Sequence, residues 1–410
     1  MADIRPFKGY RPTKEKAHLI AALPYDVYNR EEAKVAAGDN PLSFLHIDRA
    51  EIDLPDETDP YSDIVYKTAR EKLDGMIAEG DFEPVDEAVY YLYELTMQGR
   101  TQTGIVACSA VADYEKGVIL RHENTRADKE EDRVRHVDGC NAQTGPIYLA
   151  YRRNDDIASV VSRVKTGESY CDFTTDGNIR HRVFVVDAKE DIETVKNAFS
   201  TIDHIYIADG HHRAASAVRV SRMHPEKTQH FLSVLFPDDE LKIMDYNRVV
   251  TDLKGMSGDE LRSKIEEVAT PVKEVTDPIR PDKKGRFSIF LPDRWYLYEF
   301  KKEYLSDDPV NGLDVSILQD YILGPVLGIG DPKTDPRIDF VGGIRGLGEL
   351  ERRVHTDSAV AFAMYPTSIN ELFAVADAGL LMPPKSTWFE PKLLSGLFIH
   401  PLDGRLSETE

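Results

Sequence analysis

Hydrophobic positions alternate with polar ones, or form short apolar runs, along much of the chain, and this pattern predicts many strands. AVYYLYELTM and TQTGIVACSAVADY are separated only by a short QGR link, an arrangement typical of a hairpin. DFTTDGNIRHRVFVVD predicts a second hairpin that turns at Asp176 and Gly177. Further strands are expected at IYIA, QHFLSVLFP and LKIMDYNRVV, with a short one in NPLSFLHIDRAEIDLPDETDP.

Helical periodicity appears between these strands. In YSDIVYKTAREKLDGMIAEG the apolar residues recur three or four positions apart, which predicts an amphipathic helix. REEAKVAAG predicts a helix closed by Gly38, and the charged stretch RADKEEDRVRHVDG predicts one whose charges face solvent. Because hairpins are frequent and helices do not alternate regularly with strands, we assign the chain to the α+β class.

The pattern changes near residue 250, where TDLKGMSGDELRSKIEEV begins a new helix. A chain of 410 residues is longer than one domain usually is. We therefore expect one domain at 1–250 and a second α+β domain at 251–410. The second contains strand patterns such as RFSIFLP and WYLYEF and helical patterns such as INELFAVADAG.

Charge and cysteine content narrow the classes of function. The net charge is −21, with 51 Lys and Arg against 72 Asp and Glu, which disfavours nucleic-acid binding. Three cysteines without C-x-x-C spacing disfavour a disulfide framework or a zinc ribbon. No apolar run approaches the length of a membrane span, and the first residues lack the apolar core of a signal peptide. We expect a cytoplasmic protein that does not bind membranes.

The stretch HIYIADGHHRAASAVRV carries the clearest chemical signal. It predicts a buried strand, a turn at Asp209 and Gly210, and a helix that begins with His211, His212 and Arg213. Cations are disfavoured at a helix N-terminus, where the macrodipole is positive. A bound phosphate would explain them, because free backbone N–H groups and an arginine fork both suit its oxygens. A zinc site is disfavoured, since zinc-binding histidines on a helix usually lie one turn apart.

ADGHHR after a strand resembles the phosphate-binding turn of the ParB/sulfiredoxin superfamily, which includes nucleotide-dependent free serine kinases. The chain as a whole resembles the family called domain of unknown function 1015. The blocks that carry this second resemblance are LPYDVYNREEA, NPLSFLHI, HENT, DGNIRHRVFVV, IADGHHRAASA and MPPKSTWFEPKLLSGL. The resemblance implies a ParB/sulfiredoxin-like N-terminal region that binds phosphate or nucleotide, and a C-terminal α+β domain that contributes a loop to the site.

The resemblance also implies a chemistry. Sulfiredoxins need a cysteine in this turn, and ParB proteins bind DNA, so neither activity fits this acidic chain with histidines in the turn. The activity that remains is phosphoryl transfer from ADP or ATP to a small hydroxyl compound, with L-serine as the leading candidate. His212, Arg213 and Gly210 would bind phosphate, and His211 would donate to the transferred group. Asp209 would bind Mg²⁺ or orient the hydroxyl.

A kinase of this type also needs a base for the hydroxyl. Serine kinases of this fold use a glutamate near the N-terminus, and the matching region offers Asp26, Glu31 and Glu32. Glu32 is the position that we match, and Asp26 is a further residue expected to line the site. Acids in the first turn of a helix are equally what capping predicts, so a structural role for Glu31 and Glu32 stays open.

Two further segments are candidates for the site. Glu123 and Asn124 lie in RHENTR before a predicted helix, where Asn-Thr is also simply a good helix start. Lys385, Ser386 and Thr387 lie in a proline-rich loop that suits a phosphate contact. Two alternatives to the kinase stay open: hydrolysis of a small phosphomonoester such as O-phosphoserine, and a non-catalytic sensor of a nucleotide or phosphometabolite.

Overall fold

The computed structural model describes residues 1–403, and these divide into two units. The first unit comprises Met1–Leu241 together with the segment that begins at Pro391, and the second comprises Lys242–Glu390. The division predicted from the sequence differs in two respects. The boundary lies after residue 241 rather than 250, and the segment from Pro391 returns to the first unit instead of completing the second.

A large mixed sheet organises the first unit. Along its main path the strands lie in the order β5-β10-β7-β11-β4-β3-β9-β8, with β1 paired to β4 and β2 to β3. Most neighbours are antiparallel, but β10 runs parallel to β5 and β11 parallel to β7. The strands of this sheet are β1 (Ile4–Arg5), β2 (Phe7–Pro12), β3 (Phe82–Met97), β4 (Arg100–Ala110), β5 (Ile119–Leu120), β7 (Ile147–Tyr151), β8 (Cys171–Thr174), β9 (Arg180–Val186), β10 (Ile205–Asp209) and β11 (His230–Pro237). The short strand β6 (Ala142–Gln143) lies outside it.

Helices pack against this sheet and bury their apolar residues with it. Side chains of β10 and α9, such as Ile207 and Val218, belong to one continuous core cluster. The helices are α1 (Ala17–Ile20), α2 (Arg30–Ala37), α3 (Leu45–Asp48), α4 (Asp63–Ala78), α5 (Val111–Glu115), α6 (Ala127–Cys140), α7 (Asp155–Val164), α8 (Lys189–Phe199) and α9 (His211–Met223).

Local sequence signals account for several of these elements. The predicted hairpins form as β3–β4 and β8–β9, and both pairs are antiparallel. Gln98 and Gly99 connect β3 to β4 with φ values of 52° and 77°, as a tight two-residue hairpin turn requires. The amphipathic pattern of residues 61–80 forms α4, and Gly38 ends α2 with a φ of 52°.

Two sequence predictions were wrong. NPLSFLHI does not contain a strand, because the chain turns into α3 there and then into a short 3-10 helix, Ala50–Asp53. The charges of α6 do not all face solvent, since Arg133 and His136 are buried. Arg133 is tolerated in the interior because the neighbouring Asp132 accepts hydrogen bonds from its Nε and Nη2 at 3.0 and 2.9 Å.

The second unit is also α+β. Within the described residues, six strands form its main sheet in the order β14-β16-β15-β18-β13-β17, and β12 pairs with β19. Its strands are β12 (Ile243–Met244), β13 (Tyr246–Val250), β14 (Ala269–Val275), β15 (Arg286–Leu291), β16 (Arg294–Phe300), β17 (Ile338–Gly342), β18 (Val360–Met364) and β19 (Trp388–Phe389). Its helices are α10 (Gly258–Val268), α11 (Asp314–Leu318), α12 (Leu347–Thr356) and α13 (Ile369–Asp377).

The segment from Pro391 joins the first unit through backbone pairing. Strand β20 (His400–Pro401) runs antiparallel to β6, and Ile399 and Ser395 form isolated bridges with Tyr10 and Ala22. Each of these partners precedes the second unit in the chain. Over residues 1–403, no helix has the length and apolar character that crossing a membrane requires.

Candidate functional site

The helix start predicted from ADGHHR lies at the end of β10. Gly210 is the N-cap of α9 and has a φ of 89°, in the left-handed region that favours glycine. Asp209 is the last residue of β10 rather than the cap, and its Oδ1 accepts a hydrogen bond of 2.8 Å from the N–H of Gly210. Within the described residues no side chain caps the first turn of α9, so its N–H groups remain available to an anion.

Asp209 is held as a carboxylate by neighbouring cations. Nζ of Lys392 donates to its Oδ2 at 2.9 Å. Burial raises the pKa of Asp209, but the charges of Lys392 and Arg213 outweigh that effect and hold the pKa below its usual range. The carboxylate is therefore ionised at neutral pH. The sequence does not indicate this pairing, because Lys392 follows Asp209 by 183 positions.

Arg213 folds back over the start of its own helix. Its Nη1 donates to the carbonyl oxygen of Pro146 at 2.7 Å, whereas its buried Nε has no hydrogen-bond partner among residues 1–403. A Cβ atom at Gly210 would lie 3.1 Å from this Nε. Glycine therefore gives the guanidinium room beside the first-turn N–H groups, so that a cation lies at the start of α9.

His212 has one ring nitrogen committed to the protein. Its Nε2 accepts a hydrogen bond of 3.0 Å from the backbone N–H of Arg126, the residue that precedes α6. Burial lowers the pKa of His212, and the negative charges of Asp26 and Glu130 oppose that shift. In the neutral ring Nδ1 then carries the proton, so His212 can donate one hydrogen bond.

His211 turns into the interior and packs against another histidine. Its ring lies edge-on to that of His122, with 4.6 Å between the centroids, and its Nε2 is buried without a partner among the described residues. Burial and the proximity of His122 lower the pKa of His211 well below its usual value, and burial lowers that of His122 to about 4. Both rings are neutral at pH 7. The sequence did not single out His122 as a partner of His211.

The N-terminal acids differ in their surroundings. Glu32 forms a capping box at the start of α2, where its Oε2 accepts from the N–H of Asn29 at 2.8 Å and Asn29 caps Glu32 in return. Glu31 forms a long ion pair of 3.8 Å with Lys34. Asp26 lies in the short 3-10 helix Tyr25–Val27, and its negative charge opposes the lowering of the His212 pKa by burial. Of the three acids, we therefore place Asp26 electrostatically near the helix start.

The remaining predicted residues fall in two places. Glu123 is partly buried and Asn124 exposed in the loop between His122 and α6. Lys385, Ser386 and Thr387 belong to the second unit. There, Lys385 has a φ of 59° and its Nζ lies 5.6 Å from the ring centre of Tyr246, while the buried Ser386 donates to the carbonyl of Pro383 at 2.7 Å.

Comparison with known proteins assigns the family. The family model described as "Protein of unknown function (DUF1015)" matches residues 4–316. The chain belongs to this family. No curated protein matches the sequence.

Solved structures similar to this DUF1015 protein resemble it distantly. SbnI with a C-terminal truncation, from Staphylococcus aureus, has 12% identity and a TM-score of 0.39, with 72% of this chain and 87% of that chain covered. A free serine kinase in complex with AMP has 14% identity and a TM-score of 0.35, with 73% and 91% covered. A conserved hypothetical protein from Pyrococcus furiosus has 13% identity and a TM-score of 0.32, with 71% and 94% covered.

A cavity in the first unit of the DUF1015 protein was not predicted from the sequence. Arg213 lines it, so the cavity adjoins the start of α9. Arg133 and His136 are three positions apart on α6, a spacing that places both on one helix face and could have revealed them as a pair. Polar side chains that line the cavity are those of Tyr25, Asp48, Arg133, His136, Gln143, Thr144, Arg213, Ser216 and Ser395.

Proposed function

We propose that this protein is a nucleotide-dependent phosphotransferase that acts on a small hydroxyl compound, with free L-serine as the first candidate. The observation that carries the proposal is the start of α9. There, a left-handed Gly210, free first-turn N–H groups and the guanidinium of Arg213 converge. Together they provide positive charge and hydrogen-bond donors for a phosphate, and donors of this kind are the main means by which proteins catalyse phosphoryl transfer.

Each residue of the helix start has a distinct part in this proposal. Arg213 and the N–H groups of the first turn bind phosphate oxygens, and Nδ1–H of His212 supplies a further donor. His211 acts indirectly in this proposal, because its buried neutral ring packs against His122 and thereby holds the first residue of α9 in place.

Mg²⁺ fits the site as an ion carried by ADP or ATP. Nucleotide phosphates and water supply most ligands of such an ion, and one or two carboxylates complete them. Within residues 1–403 no cluster of three or more acidic, histidine or cysteine side chains is arranged to hold a metal without such help. Asp209 is ionised and can provide one oxygen. Bound Mg²⁺ would neutralise charge on the phosphates.

We assign the base to Asp26 in preference to Glu32. A base must reach the hydroxyl proton directly or through one water. The charge of Asp26 acts on His212 at the helix start, whereas Glu32 is engaged in the capping box of α2. Glu32 would have to leave Asn29 before it could serve, and the structure offers no reason for that exchange.

Incubation of the protein with Mg²⁺, L-serine and either ADP or ATP, followed by mass spectrometry, tests the proposal. O-phosphoserine should form, and Arg213→Ala should abolish its formation while weakening ADP binding. The exposed Arg222 at the other end of α9 provides the matched control, Arg222→Ala. Release of phosphate from O-phosphoserine alone would indicate a phosphatase. ADP binding without turnover of any hydroxyl acceptor would indicate a sensor.

A further inference from the structure

The cavity beside Arg213 contains buried polar groups whose hydrogen-bonding capacity is only partly used. Asp48, Arg133, His136 and Ser395 are each more than nine-tenths buried and line it. Buried polar groups in folded proteins almost always have partners, so unused capacity directed at a cavity indicates a ligand or ordered water.

One part of the cavity accepts hydrogen bonds. Oγ1 of Thr144 donates to Oδ1 of Asp48 at 3.3 Å, and within the described residues Oδ2 has no partner. Nε2 of His136 lies 3.0 Å from the carbonyl oxygen of Ile47. A carbonyl only accepts, so Nε2 carries the proton and Nδ1 is an acceptor. Asp48 and His136 together suit a cation that donates several hydrogen bonds.

Another part of the cavity donates hydrogen bonds. Asp132 accepts from Nε and Nη2 of Arg133, and Nη1 is left without a partner in the described part of the chain. The guanidinium lies 3.9 Å from the ring centre of Tyr25, whose side chain also lines the cavity. Arg213 adds a second cation. These groups suit a carboxylate, which an arginine can bind through paired hydrogen bonds.

We propose that this cavity binds a small α-amino acid, with its ammonium group at Asp48 and His136 and its carboxylate at Arg133 and Tyr25. The inference rests on the proposed function in one respect. Arg213 lines the cavity and also belongs to the proposed phosphate site, so an acceptor bound in the cavity would lie next to the phosphate. An inorganic anion would fit less well because Asp48 would repel it. A simple amine would leave Nη1 of Arg133 without a hydrogen-bond partner, since Asp132 accepts only from Nε and Nη2, and an unused buried donor is costly.

Isothermal titration calorimetry with a series of small ligands tests the charge requirement on the unmodified protein. The series comprises glycine, L-alanine and L-serine, then 3-hydroxypropionate, which lacks the ammonium group, and ethanolamine, which lacks the carboxylate. At least one amino acid should saturate a single site, and both single-charge compounds should bind about tenfold more weakly or worse. Equal affinity for either compound, or no binding by any of the three amino acids, would overturn the proposal.

Substitution of Asp48 tests the location. Asp48→Asn should weaken amino-acid binding about tenfold or more and leave 3-hydroxypropionate unaffected, because that compound has no ammonium group to lose. Asp155→Asn removes the same charge from a fully exposed position in the same unit and should change nothing. If Asp48→Asn leaves amino-acid affinity intact, the cavity is not the site. If the Asp48→Asn variant does not fold, the ligand series on the unmodified protein still tests whether binding requires both charges of an amino acid.

The outcomes separate this inference from the phosphotransfer proposal. ADP binding that depends on Arg213, without amino-acid binding, would overturn the amino-acid site and leave the phosphate site standing. Amino-acid binding that depends on Asp48, without formation of a phosphorylated product from ADP or ATP, would support the cavity and overturn phosphotransfer.

Discussion

Nζ of Lys392 lies 2.9 Å from Oδ2 of Asp209, although 183 positions separate the two residues in the sequence. The pair is only partly exposed, and the charge of Arg213 acts on the same carboxylate. Asp209 is therefore the anion of a compact group of charges whose other members are cations. Such a group adapts readily to a phosphate, because Lys392 can share its hydrogen bonds between the carboxylate and an arriving anion.

Removal of Lys392 should destabilise the first unit. Lys392→Met leaves the carboxylate of Asp209 without its hydrogen-bonded cation, and we expect the free energy of unfolding to fall by about 1–3 kcal/mol at pH 7. Urea unfolding followed by circular dichroism measures this change. The exposed Lys189, at the first position of α8, provides the control Lys189→Met, which should have little effect.

The pH dependence of this effect has a defined sign. The pKa of Asp209 in the folded protein is lowered from 3.8, so its pairing stabilises the fold above about pH 4. That contribution is lost as the pH falls through the folded-state pKa. The difference in unfolding free energy between the unmodified protein and Lys392→Met should therefore narrow below about pH 4. A difference that stays constant down to acid pH would show that Asp209 is not the group concerned.

Gly210→Ala should weaken nucleotide binding without removing a donor. The added Cβ would lie 3.1 Å from Nε of Arg213 and would sit on a residue with a φ of 89°. Arg213 must shift, and we expect ADP affinity to fall about tenfold. Gly117 has a φ of 72° and no neighbour within 4 Å of its Cβ position, so Gly117→Ala imposes similar backbone strain at a distance from the site. Equal ADP affinities in the two variants would contradict the role of Arg213.

Comparison of Asp26→Asn with Glu32→Gln distinguishes the two candidate bases. We expect Asp26→Asn to lower kcat by about 10²-fold or more with ADP affinity retained, because general bases contribute on this scale. Glu32→Gln should retain most activity, since glutamine also serves in a capping box. The reverse pattern in the initial rates of O-phosphoserine formation would return the role to Glu32.

All three cysteines should resist modification in the folded protein. Cys108, Cys140 and Cys171 are buried, and burial raises the pKa of Cys140 and Cys171 to about 12 and that of Cys108 well above its usual value. The thiolate is the reactive form. Ellman's reagent should therefore react slowly with the native protein and with all three thiols in guanidinium chloride. Rapid reaction of one thiol in the native state would contradict this burial.

Short-range patterns predicted the elements that depend on neighbouring residues. The β3–β4 hairpin, α4 and the strand–glycine–helix turn at Gly210 all follow from local conformational preferences. Long-range relationships were not accessible in this way. Arg133 looked solvent-exposed within its charged segment because the sequence does not show that α6 turns this residue towards Asp48. The pairing of Lys392 with Asp209 depends on the return of the chain after the second unit.

Because the segment from Pro391 belongs to the first unit but follows the second in the sequence, the first unit is completed only after the second has been synthesised. A ribosome that has just made α9 must add the whole second unit before Lys392 exists, since Lys392 follows Asp209 by 183 residues. Until then the nascent first unit has Asp209 and Arg213 but lacks the lysine, and β6 lacks its partner β20. The charge balance of the candidate site is thus completed only after the second unit has been synthesised, which delays any activity that depends on it until both units have been translated.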